Sequence, residues 1–78
     1  MTKEIVLSQI ESVHAFVNFA MTRDYDMEVS SGRYTVDAKS IMGIFSLDLT
    51  KPMTLTAHCE ADPELDAAIA PYLYQAEQ

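Results

Sequence analysis

Ser40 is the residue whose type and setting best suit chemistry in this chain. It follows a strand-like segment and Lys39, and it precedes a short apolar segment. Serine is a favoured helix N-cap because its hydroxyl can accept a hydrogen bond from a free N–H of the first turn. A phosphate on that hydroxyl would meet the same N–H groups and the positive end of the helix dipole. Ser40 is therefore predicted to cap a helix, at a point where a phosphate on its hydroxyl would be well placed.

The composition restricts the classes of partner. The chain has 78 residues, of which 49% are hydrophobic and 22% charged, so a single folded domain over residues 1–78 is predicted. The net charge is −7, and the five lysines and arginines are scattered. Such a chain is repelled by nucleic acid and by anionic membrane surfaces. We expect neither direct nucleic-acid binding nor a membrane role, whereas a protein partner remains open.

The residues that usually build catalytic or metal sites are not grouped here. Cys59 is the only cysteine, so it forms no internal disulfide and has no companion for a metal or redox motif. Gly32 and Gly43 are the only glycines, which leaves no glycine-rich phosphate loop. We therefore predict no catalytic residue, metal or cofactor, and a small core side chain at Cys59. The opening residues do not resemble a signal peptide, and a cytoplasmic location is expected.

Hydrophobic periodicity predicts a strand and a helix in the first third of the chain. Residues 3–7 are apolar and β-branched enough for a strand. Ser8 and Glu11 then have the spacing of a capping box, which predicts a helix over about residues 9–21. Its apolar face is predicted to comprise Ile10, Val13, Phe16, Val17, Ala20 and Met21.

The middle of the chain alternates apolar and polar residues. Residues 25–30 and 33–37 predict a hairpin with its turn at Ser31-Gly32. A seven-residue helix follows Ser40, and residues 53–59 form the clearest alternating strand.

The last helix has a strong start signal. Asp62 is an N-cap acid, and Pro63 suits the first helical position. Pro71 should bend or break this helix after Ala70. The predicted buried stripe is Leu65, Ala68, Ile69, Tyr72, Leu73 and Ala76. The complete order, β-α-β-β-α-β-α, predicts an α+β fold with three helices on one face of a four-stranded antiparallel sheet.

The block AKSIMGIFSL, residues 38–47, resembles the regulatory-serine region of HPr, the histidine phosphocarrier of the bacterial phosphotransferase system. The resemblance is strong over residues 16–49 and continues as a pattern through the following strand and helix. It implies the open-faced β-sandwich of HPr, including the strand pairing. The residue pattern gives the same element order independently.

The resemblance fails where phosphocarriers place their phosphoacceptor histidine and the arginine that follows. Counting back from Ser40 without gaps puts Gln9 at the histidine position and Glu11 at the arginine position. An amide is a poor phosphoryl nucleophile, and a carboxylate repels phosphate. The loop before the first helix is also predicted to be shortened. His14, inside the first helix, and His58, on the last strand, are expected to be surface residues, so the chain is predicted not to be a histidine phosphocarrier.

The resemblance also covers the second phosphorylation site of the family, a regulatory serine, which corresponds to Ser40. The resemblance implies that Ser40 is phosphorylated by HPr kinase and that the product binds a LacI-type transcriptional regulator. Catabolite repression HPr, a relative with glutamine at the histidine position, keeps only this branch. The predicted partner-binding residues are Lys39, Ser40, Ile41, Met42 and Phe45. The resemblance places the last three on the outer side of the short helix, with Ile44 and Leu47 in the core.

The leading hypothesis is a non-enzymatic, HPr-like regulatory or docking protein that acts through these residues. Its partner would be HPr kinase, a transcriptional regulator or an enzyme of sugar metabolism. One alternative is a working phosphocarrier for sugar uptake, with His14 or an unforeseen residue accepting phosphate. Another is a small structural domain without either phosphorylation branch, whose short helix is wholly buried or covered in a homodimer.

Overall fold

Four short strands and three helices form the fold in the order that the sequence predicts. The computed structural model describes residues 1–74. Its elements are β1 (Thr2–Ile5), α1 (Ile10–Ala20), β2 (Met27–Ser31), β3 (Tyr34–Asp37), α2 (Ile41–Phe45), β4 (Met53–Ala57), α3 (Pro63–Ile69) and a 3₁₀ helix (Ala70–Tyr72). Within these residues, no helix combines the length and the apolar character needed to cross a bilayer. The single domain predicted for residues 1–78 extends past the described part and stays a prediction.

The sheet is antiparallel throughout, with the strand order β1-β4-β2-β3. Met53, Leu55 and Ala57 of β4 are buried, whereas Thr54 and Thr56 between them are partly exposed. Because side chains alternate along a strand, one face of the sheet enters the core and the other faces solvent. The helices cover the inner face, which confirms the predicted open-faced sandwich. The core comprises Ile5, Leu7, Val13, Phe16, Val17, Ala20, Met27, Val29, Ala38, Ile44, Leu47, Met53, Leu55, Ala57, Leu65 and Ile69.

The hairpin turn lies one residue later than predicted. Ser31 pairs with Tyr34, which leaves Gly32 and Arg33 as the two loop residues. Gly32 has a φ of 60°, a backbone conformation that side chains disfavour. A left-handed glycine at the first central position is typical of a type II′ turn, whose twist matches the flanking strands.

The predicted capping box at the start of α1 is wrong. The N-cap is Gln9, which makes no side-chain cap hydrogen bond, and Glu11 consequently lies one position too early to complete the box. The strand is also shorter than predicted, since β1 ends at Ile5. Residues 6–9 thus form a four-residue connection instead of an almost direct passage into the helix.

The ends of α1 extend beyond the core. Val13, Phe16, Val17 and Ala20 are buried as predicted. Ile10 and Met21, predicted on the same face, are each 64% exposed because they lie at the two ends of the helix and on its rim.

The C-terminal helix starts and breaks close to the predicted positions. The Asp62 carboxylate accepts a hydrogen bond from the Glu64 N–H at 3.0 Å, and Pro63 occupies the first turn. The α-helix ends at Ile69, and Pro71 lies in the 3₁₀ turn that follows. Leu73, predicted to be buried, is 38% exposed. Ala76 of the predicted stripe lies outside the described residues.

Cys59 occupies a different element from the one predicted. It follows β4, which ends at Ala57, and therefore does not lie in the strand. The thiol is free, and its side chain is partly buried against the core. A structural role is consistent with this position.

A polar cluster ties the loop after α1 to the start of α3. Arg23 Nη1 lies 3.1 Å from Asp62 Oδ2 and 2.7 Å from Glu64 Oε1. The Tyr25 hydroxyl donates to Asp62 Oδ2 at 2.6 Å. This phenolic hydrogen bond, followed by Arg23, lowers the pKa of the Asp62 carboxyl despite its partial burial. Burial and the Asp62 carboxylate raise the pKa of Tyr25, so the phenol remains a hydrogen-bond donor.

The short helix α2 begins at Ser40, as predicted. The Ser40 hydroxyl accepts a hydrogen bond from the Gly43 N–H at 3.1 Å, and Ser40 O accepts from the Ile44 N–H at 3.1 Å. The helix has five residues instead of the predicted seven. Ile44 is fully buried and Leu47 is 7% exposed, so both supply the predicted core contacts.

The first prediction concerns the polar cluster. Tyr25→Phe removes the hydroxyl that favours the charged form of Asp62, and it should lower the free energy of unfolding at neutral pH. Since the folded pKa of Asp62 is below its ordinary value of 3.8, this contribution is fully present above 3.8 and disappears as pH falls through the folded pKa. Denaturant unfolding of parent and variant at neutral and acidic pH measures the difference.

Tyr34→Phe is a matched control because the Tyr34 side chain is 72% exposed on β3. It should leave stability unchanged at both pH values. A cost of Tyr25→Phe that does not vary with pH would contradict the role given to Asp62.

The second prediction concerns the cap of α2. Ser40→Ala should lower stability by about 1 kcal/mol, since the Gly43 N–H loses its acceptor. Ser40→Asp should cost less, because aspartate also caps helices. Denaturant unfolding compares the variants, and equal stability of the alanine variant and the parent would show that the cap contributes nothing.

Candidate functional site

The Ser40 hydroxyl lies at the start of α2, close to β3. Ser40 is partly buried, and its hydroxyl already accepts from the Gly43 N–H. A Cβ at position 43 would lie 3.2 Å from Ser40 Oγ and 3.1 Å from Val36 Cβ. Glycine at this position therefore allows α2 to approach β3 closely while leaving space beside the serine hydroxyl.

Lys39, one of the predicted partner-binding residues, is bound to the loop after α1. Its ammonium donates to Arg23 O at 2.9 Å, and its backbone N–H donates to Asp37 Oδ1 at 2.9 Å. The ammonium thus links the segment before α2 to the loop after α1, and it makes no hydrogen bond to Ser40. The positive charge is next to the serine in sequence, but its structural partner is a backbone carbonyl.

The three apolar residues of the predicted partner-binding set differ in exposure. Met42 is 77% exposed and Phe45 is 37% exposed, as expected for outward-facing residues. Ile41 is partly buried and packs against the core. The prediction that all three face outward is therefore wrong for Ile41, which anchors the first turn of α2.

Helix α1 adds residues to this surface that the sequence interpretation did not assign to it. The ring of His14 meets the ring of Phe45 edge-on, with centroids 6.1 Å apart and an interplanar angle of 64°. Ile10 is 64% exposed and precedes His14 by one helical turn. We call Ile10, His14, Met42 and Phe45 the α1–α2 surface. The four-residue spacing of Ile10 and His14 is the signal that could have indicated a shared rim.

The start of α1 carries an amide and a carboxylate at the two positions that the sequence comparison assigned to the family's histidine and arginine. Gln9 is the exposed N-cap, and Glu11 lies exposed in the first turn. Free N–H groups at a helix start favour a negative charge, and Glu11 already supplies one. His14 lies in the second turn, away from those N–H groups.

His58 has an ordinary surface environment, as predicted. Its Nε2 lies 3.7 Å from Glu28 Oε1, with the two side chains 55% and 48% exposed. Within residues 1–74, no group of three or more His, Cys, Asp or Glu side chains is placed to hold a metal ion.

The fold is similar to those of two solved HPr proteins. HPr-C-His from Thermoanaerobacter tengcongensis superposes with a TM-score of 0.74 at 24% identity, covering 91% of this chain and 88% of that chain. The phosphocarrier protein HPr from Bacillus anthracis str. Ames superposes with a TM-score of 0.70 at 29% identity, covering 95% and 96% of the two chains. These similarities confirm the predicted fold.

Comparison with curated protein sequences gives no significant match. A family model described as "PTS HPr component phosphorylation site" matches residues 10–70, which is more than half of the chain. The resemblance seen at residues 38–47 is therefore part of a relationship that extends from α1 to the end of α3. The chain belongs to the HPr family of the phosphotransferase system.

Proposed function

We propose that this protein is a non-enzymatic regulatory and docking member of the HPr family. In this proposal it carries no phosphate on a histidine and is controlled by phosphorylation of Ser40. The observation that carries the proposal is the identity of Gln9 and Glu11 at the start of α1. Counting back from Ser40 without gaps puts these two residues at the histidine and arginine positions of phosphocarriers. The role belongs to the cytoplasm.

The side chains at the start of α1 support the loss of histidine phosphorylation. Gln9 presents an amide that does not attack a phosphoryl group, and Glu11 adds negative charge in the first turn. His14 packs edge-on against Phe45 one turn further into the helix. The dipole field and free N–H groups that stabilise a bound phosphate fall off within the first turn. His14 is accordingly not the acceptor in this proposal.

The geometry at α2 supports phosphorylation of Ser40. The hydroxyl is at the helix start, where phosphate oxygens can replace it as acceptors for first-turn N–H groups. Gly43 leaves space beside Ser40 Oγ. A phosphate adds a charge of about −1.5 to −2 to a chain whose net charge is −7. The modification would therefore change the local field strongly.

The exposed apolar side chains next to Ser40 support a docking role. Met42 and Phe45 follow Ser40 on α2, and His14 extends the same surface across α1. Grouped apolar residues with a polar centre are a common feature of protein interaction sites. A phosphate on Ser40 would stand beside these residues and alter which partners bind. HPr kinase, a transcriptional regulator or a sugar-metabolic enzyme would be such a partner.

The third prediction compares the two phosphorylation branches. Incubation with phosphoenolpyruvate and the general phosphotransferase enzyme should leave no acid-labile phosphate, because neither Gln9 nor His14 suits the reaction. Incubation with ATP and HPr kinase should add one acid-stable phosphate to Ser40. Intact-mass and peptide mass spectrometry of the two reactions measure the result.

Ser40→Ala is the control for the kinase reaction and should remain unmodified. Phosphohistidine at His14 would overturn the proposal and favour a working phosphocarrier. The absence of phosphate in both reactions would instead favour the structural or dimerising alternative.

The fourth prediction tests docking at the α1–α2 surface. Met42→Asp should lower stability by less than about 0.5 kcal/mol, the usual effect of a surface change, because Met42 is 77% exposed. The same charge would be desolvated in any complex that covers this surface. The kcat/KM of HPr kinase for this protein, or its self-association in sedimentation, should therefore fall more than about tenfold.

Met21→Asp is a matched control, since Met21 is 64% exposed and lies about 10 Å along the helix axis from His14. It should leave both readouts unchanged. Severe destabilisation by Met42→Asp would show that the side chain is covered in the monomer and would contradict the docking role.

A further inference from the structure

A cleft of about 350 Å³ lies at the end of α2 away from Ser40, between the β2–β3 turn and the loop leading to β4. Its volume is within the roughly 300–1,000 Å³ range of small-molecule sites. The polar and aromatic residues that line it are Ser31, Arg33, Tyr34, Ser46, Asp48 and Lys51.

The cleft gathers positive charge in an otherwise acidic protein. Arg33 and Lys51 are two of only five basic residues in the chain. Arg23 pairs with Asp62 and Glu64, and the Lys39 ammonium donates to Arg23 O. Lys3 lies on β1, at the opposite edge of the sheet from β3. Arg33 and Lys51 line the cleft together, and their two positive charges can attract an anion there.

Tyr34 gives the cleft an aromatic wall. Its side chain is 72% exposed although it begins a strand, and it pairs across the hairpin with Ser31. An exposed ring beside positive charge can stack on a planar group, as aromatic side chains do on bases in single-stranded nucleic-acid sites. Arg33 adds a planar guanidinium, which binds phosphate in a bidentate manner more readily than an ammonium does.

Asp48 limits the positive charge of the cleft. Its Oδ1 accepts from the Thr50 hydroxyl at 2.6 Å and from the Thr50 N–H at 3.0 Å, while Oδ2 lies 3.9 Å from Lys51 Nζ. The two cations and this carboxylate leave a net charge of one in the cleft, which favours a small anion over an extended polyanion.

The geometry points to a binding site for a small phosphate monoester that carries a planar ring. Arg33 and Lys51 hold the phosphate, Tyr34 stacks on the ring, and the Ser31 hydroxyl offers a further hydrogen bond. The Ser46 hydroxyl already donates to Gly43 O at 2.6 Å. The site is independent of the proposed docking role, because it uses neither Ser40 nor the α1–α2 surface.

Adenosine monophosphate is the probe. Inorganic phosphate and adenosine, tested separately, show what the phosphate and the ring each contribute to binding. Titration of the ¹⁵N-labelled protein, followed by amide chemical shifts, should move resonances of residues 31–34 and 46–51. The adenosine monophosphate should bind at least about tenfold more tightly than either half. Equal binding of inorganic phosphate would overturn the assignment of the ring to Tyr34.

Variants of the lining residues locate the site and separate it from general charge effects. Arg33→Gln and Lys51→Gln should each weaken binding about tenfold, whereas Lys3→Gln, which removes the same charge from the opposite edge, should not. Asp48→Asn keeps a side-chain acceptor for Thr50, and it should strengthen binding several-fold. Shifts confined to other residues, or equal weakening by Lys3→Gln, would overturn the proposal.

Discussion

The close approach of α2 to β3 at Gly43 is the constraint on which the α1–α2 surface depends. A five-residue helix has too few internal hydrogen bonds to be stable alone, so its position must come from capping and packing. Because Gly43 has no side chain, the helix packs closely against Val36. The Gly43 N–H also donates a hydrogen bond to the Ser40 hydroxyl. Burial of Ile44 then fixes the rotation of the helix. Met42 and Phe45 are outward as a consequence of these contacts.

The polar cluster at Arg23 holds the second helix in place from the other side. The Arg23 guanidinium forms ion pairs with two carboxylates at the start of α3. The backbone carbonyl of Arg23 accepts a hydrogen bond from the Lys39 ammonium. The guanidinium also lies over the Phe19 ring, 4.9 Å from its centroid. The loop after α1 therefore connects α3 to the residue that precedes Ser40. Charged side chains are well suited to this task because they bridge segments without needing space in a small core.

Local signals in the sequence were sufficient for the features that depend on local geometry. The caps at Ser40 and Asp62 and the break near Pro71 follow from the chemistry of single residues and their neighbours. The order of the elements followed from alternation and helical periodicity, whereas the strand pairing came from the resemblance to HPr. The capping box failed because the same residues are compatible with a helix that begins one position later, and only the packing of the preceding segment decides between them.

Contacts between distant segments account for the rest of the site. The His14–Phe45 pair and the Lys39–Arg23 hydrogen bond join residues whose spacing carries no periodic signal. Periodicity also does not indicate where along a helix the core ends. For that reason Ile10 was assigned to the interior although it is exposed at the end of α1.

The position of β1 has a consequence for how the chain acquires its structure. β1 pairs only with β4 in the sheet, and its outer edge is bonded by residues 72–74 through Val6 N to Tyr72 O and Tyr74 N to Glu4 O. The first strand therefore cannot pair until β4 is available, and pairing between segments distant in sequence slows folding. During synthesis, the backbone edge of β1 that pairs with β4 has no strand partner until residues 53–57 have left the ribosome. Completion of the sheet is consequently a late step of folding.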